Sequence, residues 1–264
     1  MRSLVSSFAG SLVRTADARL TTVTLGAMVV LAAACAPSRG AESAPSPAAS
    51  APAAAPVPRA LDTVPLSGWR SRVAEFARAN LEHTAWGTAH ARRNYDLALA
   101  LARADDVRLD DDALFAAAYL HDMGALDAYR REGLDHQARG AEAAVEVLRG
   151  AGFPMEKAPL VQAIIGAHMY YADPGGTPEV VYFRDADTLD FLGAIGAARI
   201  LALTTRHRWA PDLAGAVTTL RRNARELPAA LRTAAGRREG EARVRSLDAY
   251  LAALAAESGS AGVP

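Results

Sequence analysis

The chain contains one cysteine, Cys35, so no intrachain disulfide can form and cysteine content carries no further message about the fold. Lysine is as scarce. Lys157 is the only one, and the other basic residues are arginines and histidines scattered along the chain. Basic and acidic residues balance at 29 each, and no basic block stands out. That removes the electrostatic footprint expected of a nucleic-acid binder or of an anionic-surface binder. Aromatic residues make up only 6% of the sequence, and no stretch sustains the apolar–polar alternation of a strand. Together these deficits exclude a β-rich body, because strands draw on aromatic and β-branched side chains. What the chain has instead is alanine, which favours closely packed helices. With 264 residues and 51% of them apolar, it can bury a real core in one or two domains.

A long membrane-spanning run is also missing from the N-terminal region. Arg2, Arg14 and Arg19 precede an apolar run from Leu20 to Ala34. This run is short for a stable span and suits the apolar region of a signal peptide. It ends in Leu31-Ala32-Ala33-Ala34-Cys35, which is similar to a bacterial lipoprotein cleavage box. On this reading residues 1–35 are a lipoprotein-type signal and Cys35 becomes the lipidated first residue of the mature chain. The protein would then sit at the cell envelope, lipid-anchored and facing away from the cytoplasm, with the membrane as a partner. The alternatives are an uncleaved N-terminal helix, or a secretory signal cut after the alanines. Residues 36–60 are rich in Pro, Ala and Ser without an apolar period, as expected of a tether.

A helical domain is expected over residues 61–258. Ser67 is placed to cap a helix to about Leu81, and Thr84 or Thr88 to cap the next, through Leu101. Asp110 to Asp112 open a helix that closes at His121-Asp122, their charge favouring its N-terminus. Further helices are expected over Ala138 to Leu148, from Pro159 to His168, and from Pro178 through Asp187 to Phe191. The last three cover about 193–208, 212–235 and 237–256, with Pro228 kinking or splitting the second.

The chemistry centres on Ala116 to Gly124, AAAYLHDMG. An adjacent imidazole and carboxylate at the end of an apolar helix are costly unless each finds a partner. A metal cation serves both, since His nitrogen and Asp oxygen can ligate the same ion. Of the six histidines, His90, His121, His136 and His168 fall in or beside separate expected helices. Asp187 lies between Phe183 and Phe191 at helical spacing and so faces the core. It needs a counter-charge there, either the metal or an arginine such as Arg184 or Arg199. His83 and His207 are set aside, the latter because a helix end in an Arg-His-Arg-Trp cluster accounts for it. Tyr170 and Tyr171 are expected to pack.

The order of these residues resembles the HD superfamily of metal-dependent phosphohydrolases. Three segments carry the resemblance, AHARRNYDLALALA, AAAYLHDMGAL and RDADTLDFLGAIGAARI, and it spans about Leu81 to Leu203. It implies an all-α fold, an HD-domain helical bundle with a metal site between helices. The implied metal ligands are His90, His121, Asp122 and Asp187. The implied activity is hydrolysis of a phosphate ester, a nucleotide or related small molecule, by attack of a metal-activated water. Mixed imidazole and carboxylate ligation suits Mn, Fe, Co, Ni or Zn, with one ion and room for a second. His136 and Gly140 in HQARGAEAAVEVL are similar to the two-metal HD-GYP type. That type's His-His pair reads His168-Met169 here, and YYADPGGTPE replaces its Gly-Tyr-Pro loop, which speaks against cyclic-dinucleotide hydrolysis. His136 and His168 therefore stay open as a second metal position or as groups that meet the substrate phosphate or protonate the leaving group. They join Asp122 as catalytic candidates. Arg92, Arg93 and Arg184 are candidates for the phosphoryl oxygens, and Asp190 for orienting a ligand. The implied partner is a small phosphorylated substrate, without nucleic acid. The competing class is a degenerate HD domain that binds a ligand or a protein at the envelope. Oxygen chemistry at a two-iron site is a third class, and it calls for more ligands than this chain offers.

Overall fold

A computed structural model describes residues 66–208 and 210–259. The expectations for the signal, for Cys35 and for the tether lie outside the described residues. Among the described residues there are helices and turns and no strand, so the chain is all-α as expected. None of the described helices is long and apolar enough to cross a membrane.

Among the described residues nine α-helices follow one another: α1 (Gly68–Asn80), α2 (Thr88–Ala104), α3 (Asp111–Leu120), α4 (His136–Ala151), α5 (Ala158–Gly166), α6 (Pro178–Leu189), α7 (Gly193–Ala202), α8 (Leu213–Glu226) and α9 (Ala234–Ser258). Their ends obey local chemistry. Asp110 caps α3 by accepting the Ala113 amide at 3.0 Å, and Asp111 and Asp112 sit in its first turn. Pro occupies the first turn of α5 and of α6, where its missing N–H costs nothing. Gly152 ends α4 in the left-handed conformation, φ 72°. Thr233 caps α9 through the Gly236 amide at 2.9 Å.

Several boundaries differ from expectation. Neither Thr84 nor Thr88 caps α2. Gly87 takes that position, and Thr88 Oγ1 donates to Glu82 instead. A side chain at Gly87 would press on Glu82 and on the His83 backbone, all within 3.1 Å. The helix expected to reach 208 stops at Ala202, where tight turns and a left-handed Thr205 carry the chain round to Ala210. The stretch 212–235 is split. The helix α8 ends at Glu226, Pro228 lies in a 3-10 turn over Leu227–Ala230, and α9 starts at Ala234.

The core is continuous. Leu101 of α2, Leu114, Phe115 and Leu120 of α3, Leu148 of α4, Ile164 and Ile165 of α5, and Phe183 and Leu189 of α6 are fully buried. Each such side chain contributes about 1.5–3 kcal/mol over an exposed one. The helix α2 packs on α3 and α6, α5 packs on α3, α4 and α6, and α1 covers α3 and α4. The helices α7, α8 and α9 pack on each other, and α9 also reaches α6. Asp185 ties these groups together, because its buried carboxylate accepts the amides of Arg232 and Thr233 and the Thr233 hydroxyl. The consequence for the site is that the N-terminal end of α2, the C-terminal end of α3 and the C-terminal half of α6 meet.

Candidate metal centre

Each imidazole in the centre has one nitrogen held and the other turned inward. His121, at the end of α3, donates Nδ1–H to the Ala118 carbonyl at 2.8 Å. His168, just past α5, donates Nδ1–H to the Ile165 carbonyl at 2.7 Å. Both bonds reach back three residues, the return a helix end allows. His90, in the first turn of α2, has Nδ1 2.7 Å from Asp190 Oδ2. Holding Nδ1 in this way fixes the tautomer of each neutral ring and makes Nε2 the nitrogen that faces the centre.

The inward atoms converge. His90 Nε2 lies 3.2 Å from His121 Nε2 and 3.2 Å from Asp187 Oδ1. Asp122 Oδ2 lies 3.1 Å from His121 Nε2 and 3.4 Å from His90 Nε2. Metal–ligand bonds of about 2.0–2.2 Å put neighbouring ligand atoms roughly 2.8–3.6 Å apart in tetrahedral or octahedral geometry. The four separations all fall in that interval. Two imidazole lone pairs at 3.2 Å repel unless a proton or a cation lies between them. The donor set of two imidazoles and two carboxylates thus fits a divalent transition ion, as expected from the sequence.

A second group adjoins the first. His121, Asp122 and His168 also bring ligand atoms within 4.8 Å of one another, as do His90, His121 and Asp187. Asp122 Oδ1 is 3.8 Å from His168 Nε2, and His168 Nε2 is 3.3 Å from His136 Nε2. Asp122 therefore turns one oxygen to each group.

The electrostatics follow. Burial and Arg199 both work against a charged His90, but Asp122, Asp187 and Asp190 outweigh them and push its pKa up to about 9. Burial opposes ionisation of Asp122 too, yet His121 and His90 hold it well below the usual carboxylate range. Asp187 is likewise lowered against its burial, by His90 and then His121. Asp190 is driven far down against its burial by His90, Arg93 and Arg199. Burial lowers His136, and burial with the neighbouring His121 lowers His168 to about 4, so both favour the neutral form.

The expected arginines fall elsewhere. Arg92 pairs with Asp96 on its own helix at 2.8 Å. Arg93 grips Asp190 with Nε at 3.0 Å and Nη2 at 2.8 Å, which makes it a support for the carboxylate behind His90. Arg184 gives its guanidinium to the carbonyls of Met169, Tyr170 and Ala230 and does not line the cleft. The cleft over the centre has a volume of about 600 Å³, and His90, Asp122, His136 and Asp187 form part of its wall. Arg130, Arg199, Arg206 and Arg208 also line it. So do His83 and His207, the two histidines set aside on sequence. His83 stacks on Trp86 at 3.8 Å, and His207 meets the same ring edge-on. Tyr170 and Tyr171 line an adjoining lobe of about 250 Å³, and Tyr171 is exposed rather than packed. Arg199 lies within the last of the three segments that resemble the HD superfamily, but the sequence marks it only as an alternative counter-charge for Asp187, and the stacked His83–Trp86 pair has no periodic or motif signal. They reach the cleft only because α7 and the 81–87 turn fold against it.

Helices that close around a His, a His-Asp doublet and a distant Asp define a class of domain, the HD domain. Residues 87–192 match the family model described as HD domain. None of the curated proteins matches the chain. Among solved structures it is similar to Bacillus subtilis YpgQ in complex with ADP, at 21% identity and a TM-score of 0.57, covering 72% of this chain and 98% of that one. It is similar also to an HD-superfamily hydrolase from Bacillus thuringiensis, at 23% identity and a TM-score of 0.53, covering 72% and 97%. A Lactobacillus plantarum protein matches at 20% identity and a TM-score of 0.54, covering 72% and 96%. At these identities the likeness is one of fold.

Proposed function

We propose that this chain is a metal-dependent phosphohydrolase that cleaves a small phosphate ester, held at the cell envelope by a lipid on Cys35. The observation that carries the enzymatic part is the facing pair of imidazole nitrogens, His90 Nε2 and His121 Nε2, with Asp122 and Asp187 closing the ring around them. His90, His121, Asp122 and Asp187 would hold one divalent transition ion, and His136 and His168, sharing Asp122, a second. A bound ion supplies Lewis acidity and a lowered pKa for water.

The chain's own residues supply the rest. Asp122 is the ligand most open to the cleft, its side chain 20% exposed, and it is ionised. It is placed to orient an attacking water as a hydrogen-bond acceptor, its low basicity disfavouring full proton transfer. Burial disfavours the charged form of His136 and lowers His168 to about 4, which suits ligation and disfavours giving a proton to the leaving oxygen. The second-metal role is therefore the better reading of the pair. The four cleft arginines favour an anionic substrate, and the ADP complex of B. subtilis YpgQ supports a small phosphorylated molecule.

A second reading has one observation in its favour. The expected His-His pair is His168-Met169, and Met169 lines the cleft, which fits a domain that binds without turnover. Metal analysis with a phosphate-release screen on wild type, His121→Ala and Asp122→Ala separates the two. Turnover in wild type and loss in both variants supports the hydrolase. Equal, negligible turnover in all three supports binding alone.

A further inference from the structure

Arg199, on α7, has Nε and Nη1 bound to protein oxygens, while Nη2 makes a longer contact with His90 Nε2. Nε donates to the Ala85 carbonyl at 2.7 Å, and Nη1 meets the carbonyl and the carboxylate of Asp190, both at 3.1 Å. The guanidinium lies over Phe191, with Cζ 4.6 Å from the ring centroid. Anchored on both sides, the planar fork has little freedom left. Nη2 then points at the ligand cluster, 3.4 Å from His90 Nε2. The residue is only 5% exposed, yet it lines the main cleft.

That placement calls for an anion. A guanidinium carries donors and no acceptor, and His90 Nε2 is the atom that faces Asp122, Asp187 and the other imidazole. With a metal on His90 Nε2, that nitrogen no longer accepts a hydrogen bond, and Nη2 is left to donate elsewhere. Asp190 already serves Nη1 and Nδ1 of His90. The remaining way in is from the cleft.

We propose that Arg199 is a catalytic residue whose Nη2 donates to a non-bridging phosphoryl oxygen of the substrate. This rests on the phosphohydrolase reading above. Charge on those oxygens must be met as the phosphoryl group transfers. A donor fixed in advance meets it without reorganising. Arg93 and Arg184, the arginines expected from sequence, spend their donors on Asp190 and on backbone carbonyls.

The test uses the full chain loaded with Mn²⁺, bis(p-nitrophenyl) phosphate for turnover and inorganic phosphate as competitor. Arg199→Gln should keep its Mn²⁺ affinity, measured by calorimetry, and lose on the order of a hundredfold in kcat. Phosphate should inhibit it about tenfold more weakly. Free guanidinium ion should restore part of the lost rate, and Arg199→Lys, which lacks the fork, should recover little. If metal affinity falls with kcat and excess Mn²⁺ restores turnover, Arg199 only braces His90 and Asp190 and the proposal is overturned. If Arg199→Gln does not fold, a crystal structure of the wild type with Mn²⁺ and phosphate decides. Nη2 within about 3.2 Å of a phosphate oxygen upholds the role, and a gap beyond about 4 Å overturns it. An active wild type whose Arg199→Gln form is equally active overturns this role alone. A wild type that neither binds Mn²⁺ nor turns over overturns the hydrolase reading and this role with it.

Discussion

His90 is where the site's charge balance is decided. Its pKa of about 9 in the metal-free fold exceeds the unfolded value of about 6.5. A raised folded pKa stabilises the fold fully below the unfolded value, and the gain is lost as pH rises through the folded value. Metal-free protein should therefore melt at lower temperature as pH rises from about 6.5 to about 9, in thermal unfolding followed by circular dichroism. The same proton competes with the ion. Mn²⁺ affinity measured by calorimetry should climb across that window, with close to one proton released at pH 7. Asp190 is the second test at this scale. Asp190→Asn weakens the acceptor that His90, Arg93 and Arg199 share and should cost about 10–100-fold in metal affinity. What the sequence carries of this site is its acids and imidazoles, because a charged or polar residue in an apolar helix announces its need for a partner. Arg199 was legible only as an alternative counter-charge for Asp187, and its actual partners were not. Its position depends on Ala85 and Asp190, far apart in the chain, coming to either side of one guanidinium.

At the scale of elements, the turn after His121-Asp122 decides whether the two ligand groups share Asp122. A Cβ on Gly124 would collide with the His136 carbonyl and lie 2.7 Å from the Gly140 amide. The turn and the first turns of α4 are thus in backbone contact, and glycine is the residue that permits it. Gly124→Ala should destabilise the fold by about 1–3 kcal/mol in urea unfolding. It should also move His136 away from His168, so that calorimetry detects fewer ions per chain. Most helices were legible in the sequence through their caps and prolines, such as Asp110, Pro159, Pro178 and Pro228. The misplaced ends share a cause. Gly87 replaces an expected threonine cap because Glu82 and His83 crowd it, and α7 stops at Ala202 because the chain must turn back to Ala210. Both are tertiary constraints, and neither leaves a periodic trace.

The whole molecule combines an all-α domain with an N-terminal segment whose expected role is anchoring. If Cys35 carries the lipid, Cys35→Ala should move the protein from the detergent phase to the aqueous phase in a Triton X-114 partition of expressing bacteria. Metal binding should be untouched, since Cys35 is not among the site's residues. A protein that partitions identically with and without Cys35 rejects the anchor and leaves the site unaffected.

If imidazoles and carboxylates from α2, the C-terminal end of α3 and α6 meet around one cation, calorimetric titration of Mn²⁺ into metal-stripped wild type, His121→Ala and Asp187→Ala shows it. Wild type should take up at least one ion per chain, and both folded variants should lose that binding. Folded wild type that takes up none, or variants that bind as wild type does, would contradict it.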